Sequence, residues 1–183
     1  MSRSKILVVV ATEPEAAYVP ADFEVLITGM GKVAAAVATA TKLAEYPRTE
    51  KPLVISIGTC GTLHEHGSGL FTPSTVLNHD FSAEVLRGFG HEVTDVLHLP
   101  DGDGSVLATG DVFVSDPVVR DALAARADLV DMEGFSIAYA SAHVGARCRL
   151  VRHVTDKADE EALSWPDLID GSARELGKWL EAL

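Results

Sequence analysis

The chain has 183 residues, of which 47% are hydrophobic, an ordinary fraction for one globular domain, and we expect a single domain over residues 1–183. Fifteen Lys and Arg against 27 Asp and Glu give a formal net charge of −12 at pH 7. Without a basic excess, the chain has few cations with which to hold a nucleic acid or an anionic membrane. We therefore expect a small-molecule partner, no nucleic acid and no membrane.

The cysteines and the first residues favour a cytoplasmic protein. Cys60 and Cys148 show no CxxC or metal-ligand spacing, and such sparse usage suits a reducing compartment. The apolar run 6–11 follows Arg3 and Lys5 but ends before it forms the core of a signal peptide. No stretch approaches the roughly 20 apolar residues of a spanning helix.

Short β-rich segments alternate with helical patterns, which predicts an α/β fold with a largely parallel sheet between helices. The predicted strands are 5–10, 23–28, 53–57, 74–78, 95–99, 106–108, 129–132 and 148–154. The predicted helices are 32–45, 117–126, 133–144 and 167–183. The second helix has a clear start, because Asp116 can cap it and Pro117 suits its first position. Segments 61–68 and 100–105 are predicted loops.

The first glycine-rich segment, Gly29-Met30-Gly31-Lys32, follows the second predicted strand. Its glycines allow a tight turn that directs the next helix's amides at a ligand. Extended to Ala34, it also fits the GxGxxA form of a dinucleotide fingerprint. That fingerprint needs an acid at the end of a second strand, whereas Glu45 and Glu50 flank a helix end and a loop. A P-loop is excluded, because Val33 follows the lysine.

A second glycine segment, Gly58-Thr59-Cys60-Gly61, follows the strand 53–57. Loops from two neighbouring strands would line one crevice at the carboxyl edge of the sheet, where such folds bind ligands. Two ordinary tight turns are the alternative.

Acidic residues also stand where two later strands end. Glu133 follows the strand 129–132, and Asp156 follows the strand 148–154. Each has a structural alternative: Asp131 or Glu133 could stabilise a helix amino end through its dipole, and Asp156 could cap the charged segment 157–161.

Together, these motifs in this order resemble the 5′-methylthioadenosine/S-adenosylhomocysteine nucleosidases of the nucleoside phosphorylase/hydrolase superfamily. The matching pieces are Glu15, Gly29-Met30-Gly31-Lys32, Gly58-Thr59-Cys60-Gly61, Thr109-Gly110-Asp111-Val112-Phe113, Asp131-Met132-Glu133 and Arg152-His153-Val154-Thr155-Asp156. The resemblance runs from residue 5 to about 160, and segment 62–105 matches poorly. It implies a three-layer α/β/α sandwich around a mixed sheet, commonly as a homodimer, with no cofactor.

The resemblance also implies catalytic roles. Asp156 is similar to the acid that protonates purine N7, and Glu15 to the carboxylate that deprotonates the attacking water, helped by Thr59 and Arg152. The chemistry suits these residue types, because breaking an N-glycosidic bond builds an oxocarbenium-like sugar and an anionic purine. One carboxyl group must then donate a proton while the other accepts one.

Substrate-binding roles follow in the same way. Glu133 resembles the acceptor of the ribose hydroxyls, Met132 the residue that packs on the sugar, and Phe113 the residue against the base. Gly31 and Gly61 belong to the two glycine segments that would approach the substrate.

Hydrolysis is favoured over phosphorolysis. Ser56 stands where hexameric phosphorylases of this superfamily place an arginine, and a phosphate dianion without that cation loses a partner worth roughly 1.5 to 3 kcal/mol. Phosphorolysis is the alternative, because Arg152 could serve an anion. A nucleoside-binding sensor without turnover is a further alternative, against which the presence of both Glu15 and Asp156 argues.

Several features lie outside this assignment. Few residues separate Glu15 from Phe23, where relatives carry an extra hairpin, and the 5′-substituent of the substrate is therefore open. His64-Glu65-His66 is interpreted as a solvated loop and not as a zinc site, because no third ligand is identified. His153 is interpreted as a packed or surface histidine, and no GxSxG motif indicates a serine hydrolase.

Overall fold

The computed structural model describes residues 5–65 and 67–183. The strands are β1 (Ile6–Val10), β2 (Glu24–Ile27), β3 (Leu53–Thr62), β4 (Leu70–Phe71), β5 (Thr75–Asn78), β6 (Val96–His98), β7 (Val106–Thr109), β8 (Leu129–Asp131) and β9 (Cys148–Asp156). The helices are α1 (Lys32–Ala44), α2 (Ala83–Gly88), α3 (Pro117–Ala124), α4 (Gly134–His143) and α5 (Trp165–Glu181), with a 3-10 helix at Glu160–Ser164. Among the described residues, no helix is both long and apolar enough to cross a membrane.

Every predicted strand and helix is present, with ends that differ by a few residues. The cap predicted for α3 is confirmed, since the Asp116 side chain accepts a 2.8 Å hydrogen bond from the Val118 N–H. The sequence patterns missed β4, α2 and the 3-10 helix, all of which are short.

The prediction that residues 58–61 form a loop is wrong, because they continue β3. Strand β9 runs parallel to β3 from Val54 opposite Cys148 to Gly61 opposite Asp156, with a register shift after Cys60. This pairing supplies backbone hydrogen bonds across both glycines, which carry no side chain to oppose a close neighbour. The predicted loop 61–68 is shortened accordingly.

The sheet is mixed, as the family resemblance implies. Its strand order is β2-β1-β3-β8-β7-β5-β6, with β9 also beside β3 and β4 beside β9. Five pairs are parallel, namely β1–β2, β1–β3, β3–β9, β5–β7 and β7–β8. Three are antiparallel, namely β3–β8, β4–β9 and β5–β6.

Helices cover both faces of this sheet, which confirms the three-layer α/β/α sandwich. Successive strand residues point to opposite faces, so Leu7 packs in a cluster with residues of α1 and α4, and Val8 packs in a cluster with residues of α5. Strand β7 repeats the division: Leu107 joins the α1 and α4 side, and Ala108 packs with Leu123 of α3 on the other.

A gap on one edge of β3 places the functional site. Strand β1 pairs with β3 only as far as Ser56, and β8 pairs with it only at Gly61 and Thr62. Strand β9 occupies the opposite edge along this whole stretch. The intervening residues 57–60 therefore leave backbone groups that strands on this edge do not pair.

Candidate active site

A cavity of about 120 Å³ opens at this gap in the sheet. Eight of the nine site residues predicted from the sequence line it: Glu15, Thr59, Gly61, Phe113, Met132, Glu133, Arg152 and Asp156. The ninth, Gly31, lies beside it and donates its backbone N–H to Glu133. The structure thus brings together residues of β3 and β9 with residues that follow β1, β2, β7 and β8.

Glu15 fills the gap beside β3. This residue is only 4% exposed, although it lies in the turn after β1. Its Oε1 accepts hydrogen bonds from the Thr59 backbone N–H and hydroxyl, both at 2.9 Å, and its Oε2 accepts one from Thr12 Oγ1 at 2.8 Å. The carboxylate therefore takes the place of a neighbouring strand for Thr59, and the three donors fix its orientation at the cavity wall.

Trp165 is a cavity residue that the sequence patterns missed. Its indole Nε1–H donates a 2.8 Å hydrogen bond to Thr59 Oγ1, and the ring lines the cavity. It is the first residue of α5, which was predicted to begin at residue 167. Trp165 lies four residues before buried Ile169, the spacing of residues on the core face of a helix. The helical periodicity therefore did not indicate that Trp165 lines the cavity.

A buried ion pair lies beneath the cavity. Arg152, which is 2% exposed, donates from Nε to Asp131 Oδ2 at 2.9 Å, and its terminal nitrogens donate to the Ser56 carbonyl at 2.9 Å and to Ser56 Oγ at 3.1 Å. Asp131 also accepts from Thr109 Oγ1 at 2.5 Å and from the Gly134 N–H at 2.9 Å. The guanidinium charge is thus neutralised inside the protein.

The two acids around Met132 have different surroundings. Asp131 accepts the Gly134 N–H, which agrees with its interpretation as a group that stabilises the start of α4. Glu133 makes no such bond to its helix, and its Oε1 instead accepts the Gly31 N–H at 2.7 Å. Burial, followed by the nearby charge of Asp131, raises the pKa of Glu133 to about 7.

Gly31 must be a glycine for this contact to form. Its φ is +90°, a conformation that residues with a side chain rarely adopt, and a Cβ atom would lie 3.1 Å from Asp111 Oδ1. The Asp111 carboxylate in turn accepts the Lys32 N–H at 2.8 Å. The first glycine segment is thereby fixed against the residues that follow β7.

Asp156 ends β9 on the other side of β3. Its Oδ2 accepts from Thr155 Oγ1 at 2.6 Å, and its Oδ1 accepts from the Ala158 N–H at 2.9 Å, the local capping contact foreseen for it. A Cβ on Gly61 would lie 3.0 Å from Asp156 Oδ1 and 3.0 Å from the Ala158 Cβ. The glycine at position 61 therefore provides the room in which this carboxyl group reaches the cavity.

The histidines among the described residues do not line the cavity. His153 shares a 2.8 Å hydrogen bond with Ser172 Oγ of α5, and burial lowers its pKa. His64 lies 3.4 Å from Asp128, and His66 lies outside the described residues. Within residues 5–65 and 67–183, no three His, Cys, Asp or Glu side chains are grouped as a metal site would require.

Solved structures with this fold are similar over nearly the whole chain. A Helicobacter pylori 5′-methylthioadenosine/S-adenosylhomocysteine nucleosidase with 5′-methylthioadenosine in its active site has a TM-score of 0.83 at 21% identity, covering 98% of this chain and 97% of that one. A Streptococcus pneumoniae nucleosidase in complex with 8-aminoadenine has a TM-score of 0.77 at 22% identity, covering 97% and 99%. At sequence identities this low, the structural similarity establishes the fold alone.

The sequence carries the family signal as well, since the model described as "Phosphorylase superfamily" matches residues 103–178. The chain is thus similar in sequence to this superfamily over its second half. This match includes four of the cavity residues, Phe113, Glu133, Arg152 and Asp156.

Curated relatives give a further comparison at the level of sequence. An aminodeoxyfutalosine nucleosidase of Helicobacter pylori strain 26695 is 30% identical over 122 residues, which cover 65% of this chain and 52% of that protein. The corresponding protein of strain J99 is 28% identical over 116 residues, covering 62% and 50%. The matched part of the chain thus spans about half the length of these relatives.

Proposed function

We propose that this protein is a purine nucleosidase that hydrolyses the N-glycosidic bond of an adenine nucleoside of the 5′-methylthioadenosine or S-adenosylhomocysteine type. The observation that carries the proposal is the placement of two carboxyl groups along β3. Glu15 is held at Thr59, and Asp156 is held beside Gly61, two residues further along the same strand. Both line one cavity, as a proton acceptor and a proton donor for one bond must.

In the proposed reaction, a water attacks the anomeric carbon of the sugar and passes a proton to Glu15. The bond between that carbon and purine N9 breaks, and N7 receives a proton from Asp156. The products are free base and free sugar. Thr59 orients Glu15 through two hydrogen bonds, so a base fixed before the reaction loses little free energy to reorganisation.

Glu133 would hold the ribose hydroxyls while Met132 packs on the sugar and Phe113 covers the base. All three line the cavity, and Phe113 is 46% exposed, which suits a side chain at its mouth. Glu133 has one oxygen engaged by Gly31, and its other oxygen forms no hydrogen bond with the described residues. That second oxygen is available to a sugar hydroxyl.

The charges around the cavity favour water over phosphate as the nucleophile. Among the described residues, four carboxyl groups line it, those of Glu15, Asp131, Glu133 and Asp156. Within the part of the chain that the structure describes, the one cationic side chain in the lining is Arg152, whose guanidinium is paired with Asp131 and bonded to Ser56. A phosphate dianion would therefore enter beside acids with no unpaired cation to receive it.

A second candidate substrate concerns the identity of the 5′-substituent. The curated relatives are named aminodeoxyfutalosine nucleosidases, which favours aminodeoxyfutalosine as another substrate of the same reaction. The bond broken and the roles of Glu15 and Asp156 would be unchanged.

We further propose that the protein is a cytoplasmic homodimer. Three apolar side chains at the start of α1 are unusually exposed, with Met30 at 63%, Val33 at 75% and Val37 at 61%. Val33 and Val37 are one helical turn apart, and a second copy covering this face would remove it from water. Both cysteines are free, as suits a reducing compartment.

The direct test is a panel of purine nucleosides incubated with the protein, with release of free base followed chromatographically. The panel contains 5′-methylthioadenosine, S-adenosylhomocysteine, aminodeoxyfutalosine, adenosine and inosine. Catalytic release of adenine, lost in Glu15→Gln, supports the proposal. Stoichiometric binding without base release would instead identify a silent nucleoside sensor.

A further inference from the structure

Trp165 stands at the end of a short chain of hydrogen bonds that leads to Glu15. The indole Nε1–H donates to Thr59 Oγ1 at 2.8 Å, and the Thr59 hydroxyl lies 2.9 Å from Glu15 Oε1. Trp165 is far from Glu15 in the sequence, and this chain of hydrogen bonds links the two residues through Thr59. The three side chains all line the cavity.

The donor and acceptor capacities of these groups fix the direction of the chain. An indole N–H can only donate, so the Thr59 oxygen must be the acceptor of the first bond. The single Thr59 proton then points to the Glu15 carboxylate, which accepts it together with the Thr59 backbone N–H. A hydroxyl that accepts one bond while donating another is also a stronger donor than a free one.

The position of Trp165 in the fold adds a second consequence. It begins α5 directly after the 3-10 helix, and this connection starts from Asp156, whose Oδ1 accepts the Ala158 N–H. Ala162 of the connection is 2% exposed and lines the cavity. The connection that follows Asp156 is thus held at its α5 end, where Trp165 donates to the Thr59 hydroxyl that orients Glu15.

We infer that Trp165 is a positioning residue for the hydrolysis, acting on Glu15 through the Thr59 hydroxyl. The inference rests on the proposed function and extends it, since it assigns a role to a residue outside the motifs of the family resemblance. The indole N–H holds the Thr59 proton on Glu15, so the carboxylate keeps the orientation in which it meets the attacking water.

A double-mutant cycle between Trp165→Phe and Thr59→Val tests this role with the full chain and whichever nucleoside the wild type turns over. Phenylalanine retains an aromatic wall and removes the N–H. In the wild-type background, it should lower kcat by about 2- to 10-fold, the value of one hydrogen bond, and change KM less than twofold. In the Thr59→Val background, it should lower kcat no further, because the hydroxyl through which it acts is gone.

Two matched variants separate this role from a structural one. Thr59→Ser keeps the hydroxyl, so Trp165→Phe should lower kcat in that background as much as in the wild type. Trp179→Phe changes the tryptophan that packs against the core on the α5 side, and should leave kcat unchanged. Thermal unfolding of each variant verifies that it is folded at the assay temperature.

Equal losses of kcat from Trp165→Phe in the wild-type and Thr59→Val backgrounds would overturn the inference while leaving the nucleosidase intact. An effect on KM alone would do the same, because it would make Trp165 only a wall of the cavity. Absence of base release by the wild type would overturn the proposed function, and this inference with it.

Discussion

The backbone N–H of Gly31 donates a 2.7 Å hydrogen bond to Glu133 Oε1, and this contact joins the start of α1 to the start of α4 at the edge of the cavity. The bond favours the charged form of Glu133, but burial and the charge of Asp131 oppose it and leave the pKa at about 7. The carboxyl group therefore changes its charge near neutral pH in the protein without substrate.

This shift makes the stability of the empty protein depend on pH in a defined direction. The folded-state pKa of Glu133 is raised from 4.5 to about 7, so its stabilising contribution is present below pH 4.5 and is lost as the pH rises through 7. Glu133→Gln does not titrate. As the pH rises from 5 to 8, the free energy of unfolding of the variant should therefore increase by about 2 to 3 kcal/mol relative to that of the wild type, measured by urea unfolding. A pH-independent difference between the two proteins would contradict the assignment.

Glu133→Gln should also weaken catalysis, because a neutral amide is a poorer acceptor for ribose hydroxyls than a carboxylate. We expect kcat/KM to fall by about 10- to 100-fold, the value of a charged hydrogen bond or two. On this variant, a 2′,3′-dideoxy substrate, which lacks those hydroxyls, should lower kcat/KM only a little further. Fully additive losses in this comparison would show that Glu133 is not the partner of those hydroxyls.

Asp156→Asn should remove most turnover of adenine nucleosides while sparing the fold. The amide can still accept the Ala158 N–H through its oxygen but cannot deliver a proton to N7. General acid catalysis contributes roughly 100- to 10,000-fold, and kcat should fall by a factor in that range. Near-native turnover by a folded Asp156→Asn protein would remove Asp156 from this role.

The ion pair beneath the cavity should matter chiefly for stability. Asp131→Asn leaves the Arg152 charge buried without its carboxylate, and loss of one partner of a buried pair costs about 3 to 5 kcal/mol. The matched control is Asp121→Asn, which removes the partner of Arg120 in a surface pair that should contribute little to stability. Urea unfolding at pH 7 compares them, and equal losses would contradict the structural role of Asp131.

The sequence patterns located the elements better than their connections. Apolar runs predicted all the longer strands, and Asp116 with Pro117 predicted the start of α3, because these signals are local. The continuation of β3 through Gly58 and Gly61 depends on its pairing with distant β9, which glycine content alone does not reveal. The mixed order of the sheet was anticipated from the resemblance to known nucleosidases and not from periodicity.

The same distinction applies to the cavity. The residues predicted to form it share motifs at strand ends, where an open α/β sheet presents its ligand site. Trp165 carries no such motif, and its contact with Thr59 depends on how α5 folds back across the sheet. The pairing of Arg152 with Asp131 likewise needs the three-dimensional neighbourhood of β8 and β9, and it decides that the guanidinium is neutralised.

The most direct test of the proposed hydrolysis is the identity of the sugar product when the protein cleaves its nucleoside with and without phosphate. Hydrolysis yields free sugar at a rate that phosphate does not raise, since the described acids of the cavity repel a phosphate dianion and Arg152 is already paired with Asp131. Glu15→Gln should be nearly inactive, because the attacking water then lacks its proton acceptor, and phosphate should not restore turnover. A phosphorylase, whose anionic nucleophile needs no base, would instead keep phosphate-dependent activity in this variant. Phosphate-dependent turnover that yields sugar 1-phosphate would contradict the hydrolase assignment and identify a phosphorylase.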